Sequence, residues 1–146
     1  MDRNLDSSLD LTRDSSAHRV AVIGSSGYGG LQLVKLLNAH PNFRITFLGG
    51  KRSIGKKWSQ VCSFLPIEGD PEIKSPNPDK ISEKADFAVL SLPNGLSCQL
   101  APLLLKRGLR VVDLSADYRY RSLEQWNKIY SDISTVCIYN GFYRLG

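Results

Sequence analysis

The apolar positions of this chain switch between two periods. Residues 19–23 (RVAVI) form a short, nearly unbroken apolar run, residues 28–39 carry apolar side chains at 31, 33, 34, 36 and 37, and residues 43–48 (FRITFL) return to an extended run. The outer stretches have the length of buried strands, the middle one has a helical stripe, and His40-Pro41-Asn42 separates the helix from the third stretch. The spacing predicts a β-α-β unit whose helix packs its stripe on a sheet and turns Gln32, Lys35 and Asn38 outward.

Further along, Pro66, Pro71, Pro76 and Pro78 forbid a long regular element over residues 49–84, where loops with one short strand or helix are expected. Residues 86–92 (DFAVLSL) read as a parallel strand covered on both faces, stopped by Pro93-Asn94-Gly95. A second helix is expected over 97–107, kinked at Pro102, with Gly108 as its left-handed stop and Lys106 and Arg107 at its negative end. A buried strand over 109–114 and a short helix over 122–130, capped by Ser122, complete the pattern. Strands and helices alternating in this way predict an α/β fold, a doubly wound, Rossmann-like and mostly parallel sheet with helices on both faces.

Length and composition fit that picture. A chain of 146 residues with 42% hydrophobic and 23% charged residues corresponds to one soluble domain, and no apolar run approaches the ~18 residues of a membrane span. Residues 1–17 are polar and place Asp2, Asp6, Asp10 and Asp14 at spacing four, where a helix would stack like charges. They are read as a disordered extension, leaving 18–146 as the folded domain. The extension lacks a secretory apolar core and is too acidic for a transit peptide, so the expected compartment is cytoplasmic, with organelle import left open.

Charge and cysteine content narrow the function classes. Without Arg3, Arg13 and the four aspartates of the extension the chain keeps 17 basic and 10 acidic groups, +7 against +5 for the whole. Those charges are dispersed apart from Lys51, Arg52, Lys56 and Lys57, which reads as a phosphate pocket and not as a nucleic-acid face. Cys62, Cys98 and Cys137 show no close pairing and are expected to be reduced thiols. With only His18 and His40 available, neither beside a cysteine pair, no metal site is expected.

The chemistry lies at residues 24–30, GSSGYGG, between the first strand and the first helix. Glycines there leave bare backbone that a pyrophosphate can approach, and the amide hydrogens of the following helix start point at its charge. A glycine triplet alone is an ordinary tight turn; one placed between strand and helix within a β-α-β unit is a dinucleotide signature. After the second strand an acidic residue would accept hydrogen bonds from a ribose diol and repel a 2′-phosphate. This chain has Gly49-Gly50-Lys51-Arg52-Ser53 and no carboxylate before Glu68, so NADP is favoured over NAD, with Arg52, Ser53 and Lys51 on the phosphate.

The segments GSSGYGG, KRSIGKK, SLPNG and VVDLSADYR, in this order and spacing, resemble the N-acetyl-gamma-glutamyl-phosphate reductase family of the semialdehyde dehydrogenase superfamily over roughly residues 18–130. The resemblance implies NADPH-dependent reduction of a small-molecule acyl phosphate to a semialdehyde in arginine biosynthesis, through a cysteine thioester, by an enzyme that forms a homo-oligomer. Carried onto this chain, it places Gly24, Ser25, Ser26, Gly27 and Tyr28 at the pyrophosphate, Arg52 and Ser53 at the 2′-phosphate, and Leu92 and Pro93 beside the nicotinamide half, to which the glycine pattern itself adds Gly30 and the basic turn adds Lys51. It also places Arg119 at the substrate phosphate, against the alternative of an ion pair with Asp117 or Asp113, which are themselves read as structural.

The chain departs from the family at Gln32, where a Glu is usual, at Asn94, where a His is usual, and at Tyr139-Asn140-Gly141-Phe142-Tyr143, where the pattern is Tyr-Gly-Leu-Pro-Glu. The Asn-Pro-Gly-Cys segment and the catalytic and dimerisation domain of the family are not among these residues. No catalytic residue is therefore assigned, and the chain alone is expected to be inactive. Two rivals stand beside this reading: a non-catalytic nucleotide-binding module or half of a split enzyme, and a related reductase acting on aspartyl or aminoadipyl phosphate.

Overall fold

The computed structural model describes residues 16–119 and 122–129. Nearly all of the expected polar extension lies outside them, as do Cys137, Tyr130 and the divergent run from 139 onward. Five strands form one sheet: β1 (His18–Ile23), β2 (Phe43–Gly49), β3 (Ile73–Lys74), β4 (Phe87–Leu90) and β5 (Arg110–Asp113). Their order is β3-β2-β1-β4-β5, and every neighbouring pair is parallel. The helices are α1 (Tyr28–Ala39), α2 (Trp58–Val61), α3 (Pro78–Lys84), α4 (Ser97–Lys106) and α5 (Leu123–Ile129).

The unbroken apolar runs are explained by two cores. Side chains alternate across a strand, so Ala21 and Ile23 of β1 enter one cluster with Phe47, Ala88, Leu90, Ile81, Leu100 and Leu104, on the side of α3 and α4. Val22, between them, enters the other with Val34, Leu48, Trp58, Ile67 and Ile73, on the side of α1 and α2. A sheet covered on both faces has no polar side to its central strands. In α1 the buried line is narrower than the stripe predicts: Gly30 and Val34 are buried, while Leu36 is 66% exposed.

Residues 49–84 hold three short elements where one was expected. Pro78, read as a breaker, instead starts α3 at a position whose N–H would be unbonded anyway, and the Asn77 side chain caps it by accepting from the amides of Asp79 and Lys80 at 3.0 and 3.1 Å. The loop before it closes around Trp58, fully buried, whose Nε1 donates to the Leu65 carbonyl at 2.6 Å. The helix expected over 97–107 runs as α4 through Pro102 without interruption, and Gly108 follows in the left-handed region (φ 82°). Arg107 does more than face a helix dipole, because its Nε and Nη2 both reach Asp79 Oδ1, at 2.7 and 2.6 Å, tying α4 to α3. Ser122 Oγ accepts from Gln125 N at 3.2 Å, the expected cap of α5.

At the amino edge of the sheet Arg19 grips Asp86 with two hydrogen bonds, Nη2 to Oδ1 at 2.7 Å and Nε to Oδ2 at 3.1 Å. This holds the Asp86 carboxyl below the ordinary carboxylate range, first through the Arg19 side-chain hydrogen bond. A lowered folded-state value means the stabilisation is present above the unfolded value and is lost as pH falls through the folded one. The melting-temperature advantage of the native chain over Asp86→Asn is therefore expected near neutral pH and to shrink below about pH 4, measured by thermal unfolding across pH. The advantage is small, because both side chains are 39–48% exposed.

Candidate functional site

Strand register sets the site. Gly49, Ile23, Leu90 and Asp113 are paired in one row across β2, β1, β4 and β5, so the turns that follow them emerge together at the carboxyl edge. The order reverses between β1, whose chain continues toward β2, and β4, whose chain continues toward β5, and that reversal opens a crevice for a ligand.

The first turn is shaped by backbone contact. Gly24 has φ 85°, and a Cβ there would run into the Ser91 carbonyl; a Cβ on Gly30 would strike the Gly24 carbonyl. The carbonyl of Gly49, at the end of β2, accepts from Gly24 N at 2.8 Å, Ser25 N at 3.0 Å and Ser25 Oγ at 3.2 Å. Ser25 is fully buried by this contact, so its side chain supports the turn from beneath.

Gly27 differs from its neighbours. Its backbone is extended (φ −80°, ψ 169°), and a Cβ on it would meet only the Gly24 oxygen, at an ordinary 3.5 Å. Packing does not demand a glycine there. On either side of it the amides of Ser26, Tyr28, Gly29 and Gly30 donate to no acceptor among the described residues, and α1 has neither a side-chain cap nor an acidic residue in its first turn. These orphan donors and the positive end of the helix suit an anion with several oxygens.

The second turn begins at Gly50, where a Cβ would lie 3.8 Å from Ser26 Oγ, so residues 51–53 start beside the glycine turn. Lys51 and Arg52 are exposed and Ser53 is nearly buried. Gly55, with φ 83°, donates to Ile73 O at 2.9 Å and folds this turn back onto β3. Asp70, the acidic residue nearest in the following loop to be bonded, accepts from Ser59 N and Ser59 Oγ, each at 2.8 Å.

The third turn leaves β4 through Ser91, whose amide donates to Ile23 O at 2.8 Å. Leu92 packs on the core and Pro93 is exposed. Here the start of α4 is closed: Asp117, 7% exposed, accepts from Gly95 N at 2.7 Å and Cys98 N at 3.0 Å. Asp113 is likewise occupied by Ser115 N and Oγ, so both carboxylates serve the fold. Arg119 lies just beyond Asp117, exposed, its amide donating to Ala116 O at 3.1 Å. Of the two helix starts at the crevice, one is filled by the protein's own carboxylate and the other is open.

Lys57 of the expected phosphate pocket is the N-cap residue of α2 and forms a β-bridge with Glu72, whereas the candidate cofactor residues singled out in the sequence lie in the turns after β1, β2 and β4 and at the start of α1, and Arg119 follows β5, all at the carboxyl edge. Three that matter for its shape were not singled out there: Gly29, where a Cβ would lie 2.5 Å from Ser91 Oγ, Ser91 itself and the acceptor Gly49. The doubled glycine in GYGG was the available signal for the first. The expectation of reduced thiols is corrected at Cys98, which is disulfide-bonded to a partner outside the described residues; Cys62 is free and buried. Among the described residues no three His, Cys, Asp or Glu side chains gather as metal ligands, and no helix is long and apolar enough to cross a membrane.

A parallel sheet with a glycine turn, an open helix start and a reversal of strand order at its carboxyl edge defines a dinucleotide-binding α/β domain. Residues 19–139 match the family described as semialdehyde dehydrogenase, NAD binding domain, and the chain belongs to that family. It is 69% identical over 112 residues to the N-acetyl-gamma-glutamyl-phosphate reductase of Prochlorococcus marinus (strain MIT 9313), covering 77% of this chain and 31% of that protein. It is 66% identical over 113 residues to the reductase of the same name from Synechococcus sp. (strain CC9605), covering 77% and 32%. The chain therefore spans about a third of the length of these curated relatives. Among solved structures, aspartate semialdehyde dehydrogenase with NADP from Candida albicans aligns with a TM-score of 0.63 and 26% identity, over 73% of this chain and 32% of that one. Aspartate semialdehyde dehydrogenase II from Vibrio cholerae shares the fold at a TM-score of 0.58 and 23% identity, over 73% and 30%.

The two kinds of glycine separate by stability. Gly24→Ala is expected to lower the unfolding free energy by about 2–4 kcal/mol, through a left-handed φ and a backbone collision. Gly27→Ala is expected to cost about 1 kcal/mol or less. Urea denaturation of the two variants measures the difference.

Proposed function

We propose that this chain binds NADP(H) and forms the cofactor-holding part of an N-acetyl-gamma-glutamyl-phosphate reductase. The observation that carries the reading is the open start of α1, with four unpartnered amides, beside a turn that holds Lys51, Arg52 and Ser53 and no carboxylate. The amides of Ser26, Tyr28, Gly29 and Gly30 would hold the pyrophosphate over Gly27, whose missing side chain leaves the approach clear. Gly24 and Ser25 shape the turn. Arg52, with Ser53 and Lys51, would take the 2′-phosphate, a planar guanidinium being suited to paired phosphate oxygens.

Leu92 and Pro93 would line the nicotinamide half, and Arg119 would meet the phosphate of the substrate. When bound, the reduced nicotinamide supplies a hydride for reduction of an acyl group to an aldehyde. The acyl group itself needs a nucleophile. Neither described cysteine suits that role, since Cys62 is buried and Cys98 is disulfide-bonded, so the thiolate is assigned to neither of them. The 69% identity to acetylglutamyl-phosphate reductases, against 26% to an aspartate enzyme, favours the acetylglutamyl substrate. The same likeness supports a small-molecule acyl phosphate as substrate and a cytoplasmic homo-oligomer as the working assembly.

Titration of the purified chain with NADPH and NADH tests the reading. NADPH is expected to bind at least about tenfold tighter, and Arg52→Ala to remove most of that preference, since a charged hydrogen-bonded contact is worth about 1.5–3 kcal/mol. Gly27→Ala is expected to stay folded and lose NADPH binding. Equal affinity for the two cofactors, or none for either, overturns the assignment; reductase turnover by the chain alone overturns the expectation that it is inactive by itself.

A further inference from the structure

We propose that Asp117 is a positioning residue for the nicotinamide end of the cofactor, acting through the loop that joins β4 to α4. This rests on the cofactor reading above and divides the site into two mechanically separate halves. The loop, residues 91–96, runs next to the glycine turn: a Cβ on Gly24 would come within 3.6 Å of Leu92 Cδ2. The loop is tied to β1 by Ser91 N on Ile23 O, closed by Leu96 N on Pro93 O at 3.2 Å and joined to α4 by Gln99 Nε2 on Gly95 O at 3.0 Å, and further ties run to the segment after β5. Asp117 accepts from Gly95 N and Cys98 N with its two oxygens, and Asn94 Oδ1 accepts from Ala116 N at 3.2 Å.

Asp117 is itself fixed on the sheet. Its amide donates to Ser115 Oγ at 3.1 Å, and Ser115 Oγ donates in turn to Asp113 Oδ2 at 2.8 Å at the end of β5. From the other side Trp126, 5% exposed, donates Nε1 to the Ala116 carbonyl at 3.1 Å. A chain of bonds from β5 and α5 therefore decides where Leu92 and Pro93 stand. Removing the carboxylate takes an acceptor away from two amides, one of them on buried Gly95, and loosens the tie between the loop and the segment after β5. The glycine turn has its own hydrogen bonds, from Gly24 and Ser25 to Gly49.

The test compares two probes on the 146-residue chain: NADPH, which spans both halves, and adenosine 2′,5′-bisphosphate, which reaches only the glycine and Arg52 half. Asp117→Ala is expected to weaken NADPH about tenfold and adenosine bisphosphate by less than about twofold, with Asp117→Asn intermediate because its amide oxygen still accepts one bond. The fluorescence change of the reduced nicotinamide on binding should fall with it. If Asp117→Ala does not fold by circular dichroism, Asn94→Ala cuts the same clip at its weaker tie and should weaken NADPH about threefold, again sparing the bisphosphate. Equal losses for both probes, or no loss for NADPH, overturn the positioning role. Failure of the native chain to bind either probe overturns the cofactor reading, and this inference with it.

Discussion

One carbonyl oxygen organises the site. Gly49 O, at the last residue of β2, receives two amides and a hydroxyl from Gly24 and Ser25, and so fastens the exit of β1 to the exit of its neighbour. The contact keeps the turn down against the sheet, where Gly24 has a left-handed φ and α1 begins in close backbone contact with the turn at Gly30. After Ser25 the Gly27 amide bonds the Gly24 carbonyl at 3.1 Å, while those of Ser26, Tyr28, Gly29 and Gly30 have no acceptor among the described residues. A buried turn that met all its own needs would have had no capacity for an anion.

The two helices that start at the crevice show the consequence. Helix α4 opens against the Asp117 carboxylate, which accepts from Cys98 in its first turn and from Gly95 just before it, placing a negative charge at its positive end. Helix α1 opens against no side chain. Both starts lie at the same edge and differ in one acidic residue, so an anion would meet open amides at α1 and a carboxylate at α4. Electrostatics here act by exclusion as much as by attraction.

The two-sided core makes this geometry stiff. With Ile23 packed into one cluster and Val22 into the other, the last residues of β1 cannot shift register without moving an apolar side chain into the opposing layer. The row of strand ends at Gly49, Ile23, Leu90 and Asp113 is thereby held level, and short turns of a few residues suffice to bring Ser26, Arg52, Leu92 and Arg119 to one edge.

Much of this was legible in the order of residues alone. The runs at 19–23, 43–48 and 86–92, the helical stripe, the stop at Gly108 and the glycine turn are local signals, since backbone sterics and side-chain period act between neighbours in the chain. Local signals misplace what depends on distant partners. Leu36 matched the stripe yet faces outward, Pro78 looked like a breaker yet starts α3, and the loop around Trp58 has no period to read. Sequence identified the chain as a dinucleotide-binding α/β domain and proposed 24–30 and 51–53 as its candidate cofactor turns. Only the tertiary structure decided that Ser25 turns inward, that Gly27 alone among the glycines of the first turn is unneeded by packing, and that Asp117 closes one helix start while the other stays open. Those outcomes depend on hydrogen bonds between residues about twenty positions apart, and the sheet register, not the neighbouring residues, brings such groups within reach.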